Sequence, residues 1–369
     1  MSRASGVDTF LSLTPERVLD AVEASGMPCR ASCHPLNSFE NRVYAVTLED
    51  GRQVVAKFYR PGRWTPAQIL EEHRFLEDLV LAEVPVSPVL AFPDGRTLRQ
   101  IEGIWYCLHA RLPGRTPQEI DPGEAERLGM VAARIHLIGA LRDAPERLRV
   151  AAEPLVRAEL RWMDGEGIVA EPFRARWMEA GLAVAAVLDR GLRDVEMHRI
   201  HGDFHLGNLI VSDGAFHVLD FDDMVVGPAV QDLWLLAPGR DAHDRRLREA
   251  FLEGYERFRA FDRASLDLIE PLRGLRMIRY AAWLARRWHD PIFPATWPHF
   301  GTEEFWRIET EALEDVVRGM ARLEADASGA PRDPDGEPPL TNRDLFWDWE
   351  ESPVPADVDK PDVSGNTSA

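Results

Sequence analysis

The sequence predicts a mixed α+β protein in two lobes, a small β-rich lobe followed by a larger helical one. Three observations carry that expectation. Short β-branched runs separated by turns fill the N-terminal third, helical spacing of apolar residues dominates from Asp121 onward, and a dense polar cluster at 201–208 is followed by a second at 220–223.

In the first lobe, Val43–Leu48 and Gln53–Tyr59 are two such runs, and Glu49–Arg52 supplies the turn between them. A helix start follows. Thr65 can cap, Pro66 suits the first position and Gln68 completes a capping box, so a helix is expected to run to Leu81. Val84–Leu90 reads as an edge strand, because Pro85 and Pro88 cannot donate to a ladder. Ile104–Leu108 is a further strand, stopped by Pro113-Gly114.

The helical part starts at Asp121-Pro122-Gly123-Glu124 and continues through Leu128, Val131, Ile135 and Ile138. Long helices are expected at about 174–190, 242–260 and 264–289, interrupted by a loop and short hairpin over 199–222. A cleft between two such lobes is a common place for a ligand. The expected organisation is an N-terminal lobe over 1–112, a helical lobe over 113–323 and a largely disordered acidic tail over 324–369. That tail holds 12 acidic and 3 basic residues and is rich in Pro, Asp and Ser. Its patch Leu345–Trp349 is expected to dock back on the body.

The chain has 369 residues and a formal charge of −19, of which the tail supplies about half. An acidic balance argues against a surface built for phosphate backbone or anionic lipid, so neither nucleic acid nor membrane is an expected partner. Cys29, Cys33 and Cys107 make no disulfide framework and have no metal spacing. With no apolar run in Met1–Gly6, a cytoplasmic location is expected.

The chemistry is concentrated in His201-Gly202-Asp203-Phe204-His205-Leu206-Gly207-Asn208 and, twelve residues after Asn208, in Asp220-Phe221-Asp222-Asp223. Between them two apolar runs flank the turn Ser212-Asp213-Gly214, so a hairpin brings Asp203, Asn208 and Asp220 to one end. An Asp and an Asn five apart, joined by a second Asp, offer hard oxygen ligands suited to Mg²⁺ and leave one carboxylate free as a base. That is the logic of phosphoryl transfer from ATP to a hydroxyl.

The pattern His-Gly-Asp-x-His-x-x-Asn resembles the aminoglycoside phosphotransferase-like kinases. It departs from the protein-kinase pattern where Gly202 replaces an Arg and Asp222 replaces the last Gly of Asp-Phe-Gly. Further segments resemble one bacterial branch of that family, stress-response kinases that act on serine and threonine of proteins. These are Pro35–Tyr44, Lys57–Pro61, Gln68–His73, Gly227–Trp234, Ile269–Arg273 and Ala282–Trp288. The likeness runs from Leu13 to Leu340.

The resemblance implies a bilobal, protein-kinase-like fold and a monomer whose partners are ATP and protein acceptors, with self-phosphorylation among the expected reactions. It implies Asp203 as proton acceptor, Asn208 and Asp220 as Mg²⁺ ligands, Ser38 at the phosphate loop and Lys57 on the ATP phosphates. An ATP lysine needs a helix carboxylate to fix it. Ile69, Glu72, Leu76 and Leu79 share an inward stripe, which selects Glu72, whereas Glu71 falls on a more polar face. The loop Asn37–Asn41 holds no glycine, so backbone N–H groups and the Ser38 hydroxyl must meet phosphate. Leu108–Arg111 is expected to offer backbone groups to adenine. His201, His205 and Asp232 are expected to support the loop.

The arginines at 276, 279, 286 and 287 read mostly as structural cations around tryptophans, with an acceptor-docking surface as the second reading. Two other functions compete: a small-molecule hydroxyl kinase, whose site chemistry is identical, and an inactive ATP-binding scaffold, which the complete residue set disfavours.

Overall fold

A computed structural model describes residues 10–11 and 13–327, with side chains as far as 323. Helix α1 (Pro15–Ala24) begins where Thr14 accepts the Arg17 N–H and Pro15 takes the first turn, and it buries Val18, Ala21 and Val22. It is not among the expected elements, although Thr14-Pro15 repeats the start signature of Thr65-Pro66. Strand β1 (Cys29–Leu36) is also unexpected. It is mostly exposed and shifts register between Cys29 and Cys33, so it has no alternation to read.

The strands β2 (Arg42–Leu48) and β3 (Gln53–Phe58) form the expected hairpin. Helix α2 (Pro66–Leu81) follows, with both halves of its capping box made. The strands β4 (Val89–Leu90), β5 (Arg99–Ile101) and β6 (Ile104–Ala110) complete an antiparallel sheet in the order β1-β2-β3-β6-β4, with β5 also on β6. The expected edge strand over 84–90 is reduced to the two residues of β4. The prolines remove ladder donors, and Val86 and Ser87 instead cross to Val218, whose carbonyl accepts the Ser87 N–H at 3.1 Å.

The helical lobe opens with α3 (Pro122–Gly139), which Asp121 and Glu124 cap reciprocally. Then come α4 (Ala158–Gly165), α5 (Glu171–Gly191), β7 (His198–Ile200), β8 (Leu209–Ser212), β9 (Ala215–Val218) and β10 (Val225–Gly227). Strand β7 pairs with β10, and β8 with β9. The lobe is completed by α6 (Val230–Leu236), α7 (Ala242–Tyr255), α8 (Ile269–Arg287), α9 (Ile292–Thr296) and α10 (Glu303–Ala327).

On α10, Trp306, Leu313, Val316 and Met320 are buried at helical spacing, and the helix packs on α5 and α8. Because that helix continues to Ala327, the first four residues of the expected tail are helical; the rest, Leu345–Trp349 included, lies outside the described residues. No described helix is long and apolar enough to cross a membrane.

Each lobe has its own core. Val46, Val54, Phe58, Ile104 and Tyr106 pack the sheet against α1, while Trp177, Trp234, Phe251 and Tyr255 lie in the helical core. Helix α2 joins the two, since its Phe75, Leu76 and Leu79 belong to the helical core. A cleft of about 610 Å³ lies between the lobes and is lined from both.

Candidate active site

The floor of the cleft is the segment from His201 to Asp223. Asp232, buried on α6, accepts the N–H groups of His201 (2.9 Å) and Gly202 (2.8 Å) and meets the buried His136 at 2.9 Å. Gly202 has φ +84°, and a Cβ there would run into the Asp223 carbonyl oxygen, so no side chain fits where protein kinases carry an Arg. His201 Nε2 lies 2.7 Å from the Leu219 carbonyl.

Asn208 donates from Nδ2 to the Asp203 carbonyl (2.9 Å), and its own carbonyl accepts the Leu219 N–H (2.8 Å). With Leu209 opposite Val218, the hairpin therefore holds Asp203, Asn208 and Asp220 around one open end. Asp220 sits at φ +52°, a left-handed conformation that a non-glycine residue adopts at a cost and that clusters at functional sites.

Asp203 is firmly held. Arg276 of α8 donates to Oδ1 at 2.8 Å, and His205 Nε2 lies 3.2 Å from Oδ2. Burial would raise this carboxyl, but His205 and Arg276 outweigh it and hold its pKa well below the ordinary range. His205 and Asp232 thus stand where loop support was expected, whereas Arg276 is a contact that the sequence reading assigned to structure.

The opposite wall is Lys57 of β3. Its Nζ is 2.8 Å from Asp220, 3.2 Å from Asp222 and 3.5 Å from Glu72. Burial would lower the lysine pKa, but these three carboxylates hold it well above its ordinary value. Glu72 is fully buried, and its carboxyl is pushed up to about 7 by burial, with Lys57 pulling down and Asp222 pushing up. Glu71 does not lie on a polar face. It is 5% exposed and accepts the N–H groups of Glu146 and Arg147, each at 3.0 Å. Its burial comes from the turn at 146–147, which helix periodicity cannot see.

Asp222 is the residue the sequence reading undervalued. It faces Lys57, bonds Arg63, and accepts from Asn41 Nδ2 at 3.1 Å. Burial would raise its carboxyl, yet Arg63, Lys57 and Arg147 hold it below the ordinary range. The departure from Asp-Phe-Gly was the available signal.

The loop Asn37–Asn41 is tied to distant parts of the chain. Ser38 Oγ accepts the Asn41 N–H at 3.3 Å, and the carbonyls of Phe39 and Glu40 accept from Arg60, both at 2.9 Å. The Glu40 carboxylate accepts from Trp283 (2.7 Å) and Arg287 (2.7 and 3.1 Å) of α8. Phe39 packs on Trp297, ring centroids 4.9 Å apart.

Of the backbone expected at adenine, the Ala110 and Arg111 N–H groups are already donated to the Pro88 and Gln53 carbonyls. Leu112, the next residue, lines the cleft.

For a divalent ion the donor chemistry is partial. Asn208 spends its amide N–H on Asp203, which turns its carbonyl oxygen to other work, and the Asp220 side chain is 47% exposed. Among the described residues no group of three or more His, Cys, Asp or Glu could hold a metal alone. Two hard oxygen donors fit an ion that takes its remaining ligands from nucleotide phosphates and water.

Comparisons with known proteins show likenesses of sequence and of fold. The model of the phosphotransferase enzyme family matches residues 32–269. Stress response kinase A of Escherichia coli (strain K12) is 38% identical over 311 residues, covering 84% of this chain and 94% of that protein. Serine/threonine protein kinase RdoA of Salmonella typhimurium (strain LT2) is similar to the same extent, 38% over 311 residues, 84% of this chain and 94% of its own. Among solved structures, amicoumacin kinase hAmiN in complex with AMP-PNP, Ca²⁺ and Ami shares the fold, with TM-score 0.66, 18% identity, and coverage of 82% of this chain and 92% of that one.

Proposed function

The chain belongs to the phosphotransferase enzyme family, and from that premise we propose that it is a serine/threonine protein kinase that moves the γ-phosphate of ATP to a protein hydroxyl with Mg²⁺. The observation that carries the choice of acceptor is the 38% identity, over 84% of the chain, to relatives of which one is named a serine/threonine protein kinase.

The roles follow from the cleft. Lys57, aimed by Glu72 and Asp222, turns from Asp220 to the phosphates when nucleotide enters. Asn208 and Asp220 would hold the ion, and when bound it would supply positive charge that offsets the charge developing on the phosphates. The phosphate loop, with Ser38, covers them. Asp203 accepts the O–H of the acceptor and aims its oxygen at phosphorus. As the new O–P bond forms and the bond to the ADP oxygen breaks, the hydroxyl proton passes to the Asp203 carboxylate. Arg276 and His205 keep that carboxylate ionised and oriented until then.

The test is incubation with labelled ATP and Mg²⁺, alone, with generic protein and with a panel of small hydroxyl compounds. Label on protein is expected. Label confined to small compounds would establish the alternative acceptor class, and label on neither would leave an ATP-binding scaffold.

A further inference from the structure

One face of α8 forms the helical wall of the cleft. Arg276, Arg279, Tyr280 and Trp283 fall at helical spacing and all line it. At one end Arg276 holds Asp203; at the other Trp283 holds Glu40 of the phosphate loop. Arg279 stands between them.

Most arginines around it are spent. Arg63 pairs with Asp222 and Asp223, Arg273 donates to the Pro238 carbonyl at 2.6 Å, Arg286 pairs with Glu159 and Arg287 with Glu40. Among the described residues Arg279 has no hydrogen-bond partner and no ion-pair partner within 4 Å. The carboxylates that act on it, Asp223 and Glu159, are each bound to another arginine, at 2.7 and 2.5 Å. Burial, with Arg63 and Arg276 adding repulsion, lowers the Arg279 pKa from its ordinary value.

A part-buried guanidinium without a counter-ion is unfavourable until an anion meets it, and its planar fork fits a carboxylate or phosphate. The nucleotide phosphates have Lys57 on the opposite wall. Asp223, Arg63, Glu159 and Arg276 are the charges that act on Arg279. On α8 it stands three residues, about one turn, from Arg276, which holds Asp203, and that neighbourhood favours the acceptor side.

Resting on the protein-kinase reading, we propose that Arg279 is an anion subsite for the acceptor, so that the preferred substrate is an acidic peptide with a carboxylate or phosphate beside its Ser or Thr. In a chain of net charge −19 this local cationic wall runs against the overall balance, which sharpens the selection.

The experiment uses the full chain with AMP-PNP and Mg²⁺. Two Ser-containing peptides are titrated, one with Asp and Glu flanking the Ser, one with Lys. The acidic peptide should bind tighter, and Arg279→Gln should remove roughly tenfold of that preference, the scale of a hydrogen bond to a charged group. Arg279→Lys, which keeps the charge and guards against a folding defect, should keep part of it, and Arg279→Glu should reverse it. Equal affinity of the unaltered protein for both peptides overturns the proposal. So does an Arg279→Gln variant that raises KM for ATP and slows every acceptor alike, since the arginine would then serve the γ-phosphate. Transfer from ATP to the same peptides is scored separately. An acidic preference that depends on Arg279, without transfer to either peptide, would support the subsite and count against the protein-kinase reading.

Discussion

The floor of the cleft and the loop Asn37–Asn41 differ in how much of their bonding is local. In the floor, Asn208 reaches five residues back to Asp203, His205 two, and His201 eighteen forward to Leu219. In the loop, Asn41 reaches Asp222 across 181 residues and Glu40 reaches Arg287 across 247. Nearby, Arg60 meets Asp290 across 230. A locally closed motif writes its geometry into spacing, and a loop closed by distant charges does not. The floor should therefore lose chemistry when altered and keep its shape, while the loop and its clamp should lose stability or nucleotide affinity first.

The largest expected effect is in the floor. Asp203→Asn keeps the shape but cannot take a proton, so turnover should fall by roughly 10²–10⁴ while ATP·Mg²⁺ affinity survives. Asp220→Asn should instead weaken metal-dependent nucleotide binding and abolish transfer with it. Nucleotide titrations with and without Mg²⁺, combined with single-turnover rates, separate the two. Loss of metal-dependent binding in the first variant and its retention in the second would reverse the assignment.

The clamp gives the next effect. Asp290 is 1% exposed and accepts from Arg60 at 2.9 Å and Arg42 at 3.2 Å. Asp290→Ala leaves Arg60, itself 4% exposed, with the loop carbonyls, Glu40 and the rings of Phe10 and Phe293 as its neighbours among the described residues. Removing one partner of a buried ion pair costs about 3 kcal/mol at the low end, which lowers Tm by roughly 4–5 °C in a protein of this size. A Tm within a degree of the parent would mean that the loop is held without it, and the contrast between the two regions would weaken.

Glu72 faces Lys57 on the wall opposite the floor, and pH reads it. Its carboxyl is raised to about 7 from an ordinary 4.5, chiefly by burial. A raised carboxyl favours folding below the unfolded value, and that contribution disappears as pH rises through about 7. The Tm of the parent, measured relative to Glu72→Gln, should fall by a few degrees (about 2–5 °C) between about pH 5 and pH 8. A flat difference would mean that Lys57 holds Glu72 ionised throughout.

What the sequence allowed follows the same division. Asp203, Asn208 and Asp220 could be grouped because a hairpin with a Ser-Asp-Gly turn leaves little freedom between them. Glu72 could be chosen over Glu71 from its helical stripe, yet the burial of Glu71 under the 146–147 turn could not, since that partner lies 75 residues away. Arg276 was indistinguishable from its neighbours on α8 until the helix was docked against Asp203. Strand β1 was missed because an exposed edge strand has no alternating pattern, and its pairing depends on β2.

Ser38 gives the smallest expected effect. The family likeness places its hydroxyl at phosphate, while the structure has it accepting the Asn41 N–H at 3.3 Å. Both uses are compatible, since a hydroxyl that accepts one hydrogen bond can still donate another. Ser38→Ala removes the donor, together with the weak bond from the Asn41 N–H, and leaves the long-range anchors of the loop at Glu40, Arg60 and the Asn41 side chain. The loss of one such bond, about 0.5–1.5 kcal/mol, should raise KM for ATP roughly 2- to 10-fold, with kcat and Tm unmoved. An unchanged KM together with a lower Tm would confine the hydroxyl to shaping the loop. A fall in kcat at unchanged KM would show the loop acting on the transition state as well. The chemistry would then not be confined to the floor.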